Sequence, residues 1–79
     1  MQIAVRLFAT LQKFAPLSAR DGCFTIKLTP GATVAALLKA CHLSEKSVTV
    51  VMVNGIVSPG ETILSEADEV SIFPPLAGG

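Results

Sequence analysis

Val34, Leu37, Leu38 and Cys41 recur at i, i+3, i+4 and i+7, so a helix through them carries one apolar stripe. About ten residues of helix are marginal on their own, and packing that stripe against a sheet is what can hold them. The start is marked as well. Thr29-Pro30-Gly31-Ala32 breaks the chain, and Thr33 is placed to act as N-cap. Residues from Leu43 to Ser47 leave the helix.

The remaining periodic segments supply the sheet. Ile3, Val5 and Leu7 alternate with Gln2, Ala4, Arg6 and Phe8, the period-two pattern of a strand with one face in a core. A short helical turn over Ala9–Ala15 ends at Pro16, and Ser18–Gly22 reads as a polar turn. Cys23–Leu28 is a second strand with Phe24, Ile26 and Leu28 inward, close enough to the first to form a hairpin with a longer loop. Val48–Val53 is strongly β-prone, and Asn54-Gly55 is the strongest turn signal in the chain. Ile56-Val57 pairs back briefly before Ser58-Pro59-Gly60. Ile63 and Leu64 are candidates to anchor a loop crossing under the sheet. Glu69–Phe73 is the last strand, with Val70 and Ile72 inward, and Pro74-Pro75 ends its pairing by removing two ladder donors. The order is an α+β layer pair, one helix on one face of a sheet.

With 79 residues the chain is one small domain, in which every apolar position matters. Hydrophobic residues make up 51% and charged residues 15%, a composition that forms a core and excludes disorder. No apolar run approaches the length of a membrane span, and Met1–Arg6 lacks the basic and apolar regions of a signal peptide, so a cytoplasmic protein is expected. Six basic residues balance six acidic ones, which argues against an electrostatic nucleic-acid binder. Cys23 and Cys41 are too few for a cysteine-built metal site, Cys41 reads as a small core hydrophobe, and the sole histidine, His42, has no partner motif for catalysis. No catalytic and no metal-binding residues are therefore assigned.

Three features have two readings each. Glu61, Glu66, Asp68 and Glu69 crowd the final third, as a solvated turn or as a docking patch for a basic partner. Phe8 and Phe73 fall with Ala4 on the face opposite the inferred core, and Val51 and Val53 are candidates to join them. Such aromatics either meet a partner or pair across strands to stabilise the sheet. The chain then ends Phe73-Pro74-Pro75-Leu76-Ala77-Gly78-Gly79. A glycine pair at the last two positions arises by chance in roughly 0.5% of chains, which is moderate evidence for a tail threaded into a narrow channel over a frayed end, and the residues upstream must carry the rest.

Taken together, the two-strand opening, Pro30-Gly31-Ala32-Thr33-Val34, Val53-Asn54-Gly55, Asp68-Glu69-Val70 and the phenylalanine-diproline-to-diglycine ending resemble the ubiquitin-like sulfur carriers. The similarity is closest to the small subunit of molybdopterin synthase, with the thiamine-pathway carrier a near relative. The family often has glycine where Glu66-Ala67-Asp68 has Ala67. The resemblance implies a β-grasp fold with a mixed sheet, a domain over residues 1–74 and a flexible diglycine tail over residues 75–79. It implies a carrier rather than an enzyme. The Gly79 carboxylate would be adenylated by a ubiquitin-activating-type adenylyltransferase using ATP and Mg, then converted to a thiocarboxylate. Pro74, Pro75, Leu76, Ala77 and Gly78 would enter a channel of the large synthase subunit, and Phe8 and Phe73 would meet the partners. No bound cofactor, nucleic acid or membrane is implied. Carriers for thiamine or another thiolation route, protein modifiers that join Gly79 to lysines, and a β-grasp interaction module without carrier activity are the alternatives.

Overall fold

The first strand, β1 (Gln2–Leu7), is an interior strand of a five-stranded sheet, with a partner on each side. On one side β2 (Cys23–Lys27) pairs antiparallel, Ile3 opposite Ile26 and Val5 opposite Phe24. On the other, β5 (Glu69–Phe73) pairs parallel, Val5 beside Val70 and Leu7 beside Ile72. Next come β3 (Val50–Val53), antiparallel to β5, and β4 (Ile56–Val57) at the far edge. The resulting order β2-β1-β5-β3-β4, with its helix packed on one face, is the mixed β-grasp arrangement. This computed structural model describes residues 1–44, 48 and 50–75.

The helix α1 (Val34–Ala40) begins where its donors are met. The Val34 and Ala35 amides donate to the carbonyls of Thr62 and Gly60 at 3.0 and 2.9 Å, and the Ala36 amide donates to Thr33 Oγ1 at 3.2 Å. Amides at a helix start have no partner within the helix. Here the crossing from β4 to β5 and the threonine cap supply them. The other end closes without glycine. His42 N–H donates to Lys39 O at 3.0 Å and Leu43 N–H to Leu38 O at 2.9 Å, the paired bonds of a Schellman ending, and His42 takes the required left-handed conformation at φ 61°.

Val34, Leu37, Leu38 and Cys41 are buried with Ile3, Val5, Leu7, Val70 and Ile72, as the matching of stripe to strands predicts. Phe24 and Ile26 pack against this core but are only half-buried, because β2 is an edge strand. Leu11 on the 3-10 helix Ala9–Phe14, Leu43 after α1, and Leu64 complete the interior.

The structure corrects three expectations. Val51 and Val53 do not lie on the outer face; they are buried, because antiparallel pairing sets Val51 opposite Ile72 and Val53 opposite Val70, and paired residues share a face. The outward residues of β3 are Val50 and Met52, opposite Phe73 and Ser71. Second, Leu64 alone anchors the crossing loop. Ile63 bridges to Thr33 through its backbone and is 66% exposed. Third, the strands start and stop slightly inside their expected limits, at Val50 and at Lys27.

Candidate functional site

The parallel strands β1 and β5 end side by side, β5 in Phe73 and β1 one residue before Phe8. The Phe8 amide donates to Ile72 O at 3.1 Å, carrying the β1–β5 ladder one step beyond the regular strands. Phe8 is still extended (φ −106°, ψ 150°), whereas Ala9 sits at φ 52° and turns the chain into the 3-10 helix. Phe73 is opposite Val50 on its other side. The Phe8 and Phe73 rings stack with centroids 4.3 Å apart and planes 18° from parallel. The Arg6 guanidinium lies 5.1 Å from the Phe8 centroid, a cation–π contact worth about 0.5–1 kcal/mol at an exposed position. Both rings are half-buried, Pro74 is half-buried and Pro75 is exposed.

Both readings of the phenylalanine pair therefore start from the same geometry. The rings do pair across strands, and they do so on the sheet face that α1 leaves uncovered. Beside them, Ala4, Arg6, Cys23, Thr25, Glu69 and Ser71 line a shallow trough across β2, β1 and β5. Its floor is low because these are mostly small side chains. Arg6 and Val50 were not singled out as site residues by sequence. Alternation along β1 puts Arg6 on the same face as Phe8, and that is the signal which finds it.

The acidic cluster is partly spent within the fold. Asp68 accepts from Asn54 Nδ2 through Oδ1 at 2.9 Å and from the Ser65 amide through Oδ2 at 2.7 Å. Glu66 Oε2 accepts from the Gln2 amide at 3.1 Å. These two carboxylates build the turn before β5, the structural reading of the cluster. Ala67, the position at which glycine is common in the resembled family, is held in this turn at φ 66° and donates its amide to Gln2 O at 2.8 Å.

The titratable groups expected to be inert have structural places. Cys41 is buried, and burial pushes its thiol above the usual value. Cys23 is exposed. Among the described residues no group of three or more His, Cys, Asp or Glu could hold a metal ion, and no helix is long and apolar enough to cross a membrane. Of the expected tail residues, Pro74 and Pro75 continue directly from the stacked Phe73; Leu76, Ala77, Gly78 and Gly79 lie outside the described residues.

The chain matches the ThiS family over residues 5–79. Its fold is similar to that of small archaeal modifier protein 1 from Haloferax volcanii, at 21% identity over 95% of this chain and 98% of that one, with a TM-score of 0.76. It is similar to a Pyrococcus furiosus protein described as molybdopterin converting factor subunit 1, at 23% identity over 95% and 98% of the two chains, with a TM-score of 0.76. A chain in the complex of subunits 1 and 2 of molybdopterin-converting factor from Helicobacter pylori matches at 22% identity over 100% of both chains, with a TM-score of 0.64. At these identities the solved structures speak to fold. The sequence finds no significant match among curated proteins. The family match spans the sheet, the helix and the diglycine end, and on it the chain belongs to the ThiS family, the ubiquitin-like sulfur carriers, as a carrier and not a catalyst.

Proposed function

We propose that this chain carries sulfur as a thiocarboxylate on Gly79 and delivers it for dithiolene formation in molybdopterin or its tungsten counterpart. The family match running through the Phe73-Pro74-Pro75 to Gly78-Gly79 ending carries the sulfur-carrier reading, and the likeness to molybdopterin converting factor subunit 1 from Pyrococcus furiosus supports the pterin branch of it. A carboxylate is a poor electrophile until one oxygen becomes a leaving group. An adenylyltransferase of the ubiquitin-activating type, using ATP and Mg, would join the Gly79 carboxylate to AMP and release pyrophosphate. A sulfur nucleophile at the oxidation level of sulfide would then displace AMP, forming a C–S bond and leaving the thiocarboxylate. That terminus is a strong nucleophile on a protein handle, and the carrier needs no acid or base of its own.

The likeness to a chain in the Helicobacter pylori complex of subunits 1 and 2 supports a large-subunit partner. Pro74, Pro75, Leu76, Ala77 and Gly78 would run in that partner's channel, where two glycines let backbone approach closely. Phe8 and Phe73 would meet the partner on the uncovered sheet face, residues 1–74 forming the handle and 75–79 the arm. The intracellular supply of ATP and sulfide-level sulfur makes the cytoplasm the expected compartment. The likeness to the archaeal modifier supports a second reading, in which the activated Gly79 is joined to a lysine amine.

Two measurements test this. Deleting Gly79 is expected to abolish ATP–pyrophosphate exchange by the cognate activating enzyme without shifting the melting temperature. Sulfur transfer to a pterin precursor, compared between the full chain and the deletion, decides the carrier role, and undiminished transfer by the truncated chain would overturn it. Intact mass after activation separates the two readings: an oxygen-to-sulfur exchange marks the carrier, and an isopeptide-linked product marks the modifier.

A further inference from the structure

We propose that Phe8 is a positioning residue: by stacking on Phe73 it fixes the direction in which Pro74-Pro75 leaves the sheet. The inference rests on the carrier reading above and concerns how the same terminus is presented. Phe73 is the last residue of β5, and the two prolines that follow have no amide hydrogen to donate into a ladder, so they are tied to the sheet less firmly than strand residues. The bearing of the diproline is therefore set at Phe73. Phe73 is held from two sides, by Val50 across the antiparallel pair and by the Phe8 ring at 4.3 Å. Phe8 is itself fixed at three points: its amide on Ile72 O, its ring under the Arg6 guanidinium, and the sharp departure of the backbone at Ala9. Prolines at 74 and 75 are stiff, so an angular error at Phe73 is carried outward along them rather than absorbed.

A tail aimed correctly when the complex forms would place its carboxylate near ATP in a larger share of bound complexes. That effect belongs in kcat. A residue that only docks would act in KM instead.

The test uses the full chain with Phe8→Leu, Phe8→Met and Phe8→Tyr, reading two quantities. The first is the Hα–Cα residual dipolar couplings of Pro74 and Pro75 in the free protein, set against those of β3 and α1. The second is kcat and KM for the carrier in ATP–pyrophosphate exchange. Loss of the ring in Phe8→Leu is expected to average the Pro74 coupling towards zero while β3 and α1 keep theirs. It is expected to lower kcat about tenfold or more, over and above whatever rise in KM the lost partner contact brings. Phe8→Tyr restores both, and Phe8→Met replaces Phe8→Leu if the latter does not fold. An unchanged Pro74 coupling, or a raised KM with an unchanged kcat, overturns the positioning role. Wild-type chain that supports no exchange at all overturns the carrier reading instead, a separate result.

Discussion

Asn54 and Glu69 exchange backbone and side-chain hydrogen bonds across the β3–β5 pair: Asn54 N–H donates to Glu69 O at 2.7 Å, and Glu69 N–H donates to Asn54 Oδ1 at 2.9 Å. The same side chain donates from Nδ2 to Asp68 at 2.9 Å. Asn54 and Gly55 both have positive φ, at 51° and 82°, the pattern of a type I′ turn. One asparagine thus sets the hairpin turn and ties it to the start of β5. Asn54→Gly keeps the permitted backbone and removes only the side-chain bonds, so a loss of about 1–2 kcal/mol is expected in urea denaturation. An unchanged midpoint would show that water replaces those bonds without cost.

Two positions are expected to gain stability from glycine. His42 at φ 61° ends α1, and Ala67 at φ 66° forms the turn before β5. A side chain in the left-handed region costs roughly 1–2 kcal/mol, part of which glycine returns as chain entropy. His42→Gly and Ala67→Gly should each raise stability by about 0.5–1 kcal/mol. A fall in either variant would mean that the side chain contributes more than its strain.

Gly22 is the opposite case. It sits at φ 78°, and a Cβ there would stand 2.4 Å from the Leu7 carbonyl oxygen, itself part of the backbone of β1. Left-handed strain and the clash together should make Gly22→Ala cost at least about 2 kcal/mol. For a domain of 79 residues that is a large share of total stability, of order 4–12 kcal/mol. A melting temperature equal to wild type would place the loop before β2 elsewhere.

Burial raises the Cys41 thiol above 9.0. The unfolded chain then releases this proton first as pH rises. Below about pH 9 the group leaves stability unchanged; above it, stability falls until the folded thiol ionises too. Thermal melts from about pH 7 to about pH 10 should therefore decline less steeply in Cys41→Ala than in wild type. A thiol reagent on the native protein should label exposed Cys23 quickly and Cys41 only as fast as the protein opens. Equal rates would contradict the packing of α1.

The sequence by itself determined the elements whose signals are local. Alternation placed Ile3, Val5, Leu7, Val70 and Ile72 inward, the i, i+3, i+4, i+7 stripe placed Val34, Leu37 and Leu38, and Thr33 and Asn54-Gly55 announced a cap and a turn. Each needs only a period or a backbone preference, which the neighbouring residues reveal. The exit from α1 by Leu43 was expected, but the way it closes was not: histidine holds the place where glycine usually signals a stop, and the paired bonds from His42 and Leu43 are visible only once the helix is folded. Val51 and Val53 were likewise undecidable, because a run of valines has no alternation to read. Only their pairing with Ile72 and Val70 turned them inward. The same holds for the site. Local sequence put Phe8 and Phe73 on one face, but their stacking came from the parallel alignment of two strands far apart in the chain, a long-range register that tertiary packing alone decides.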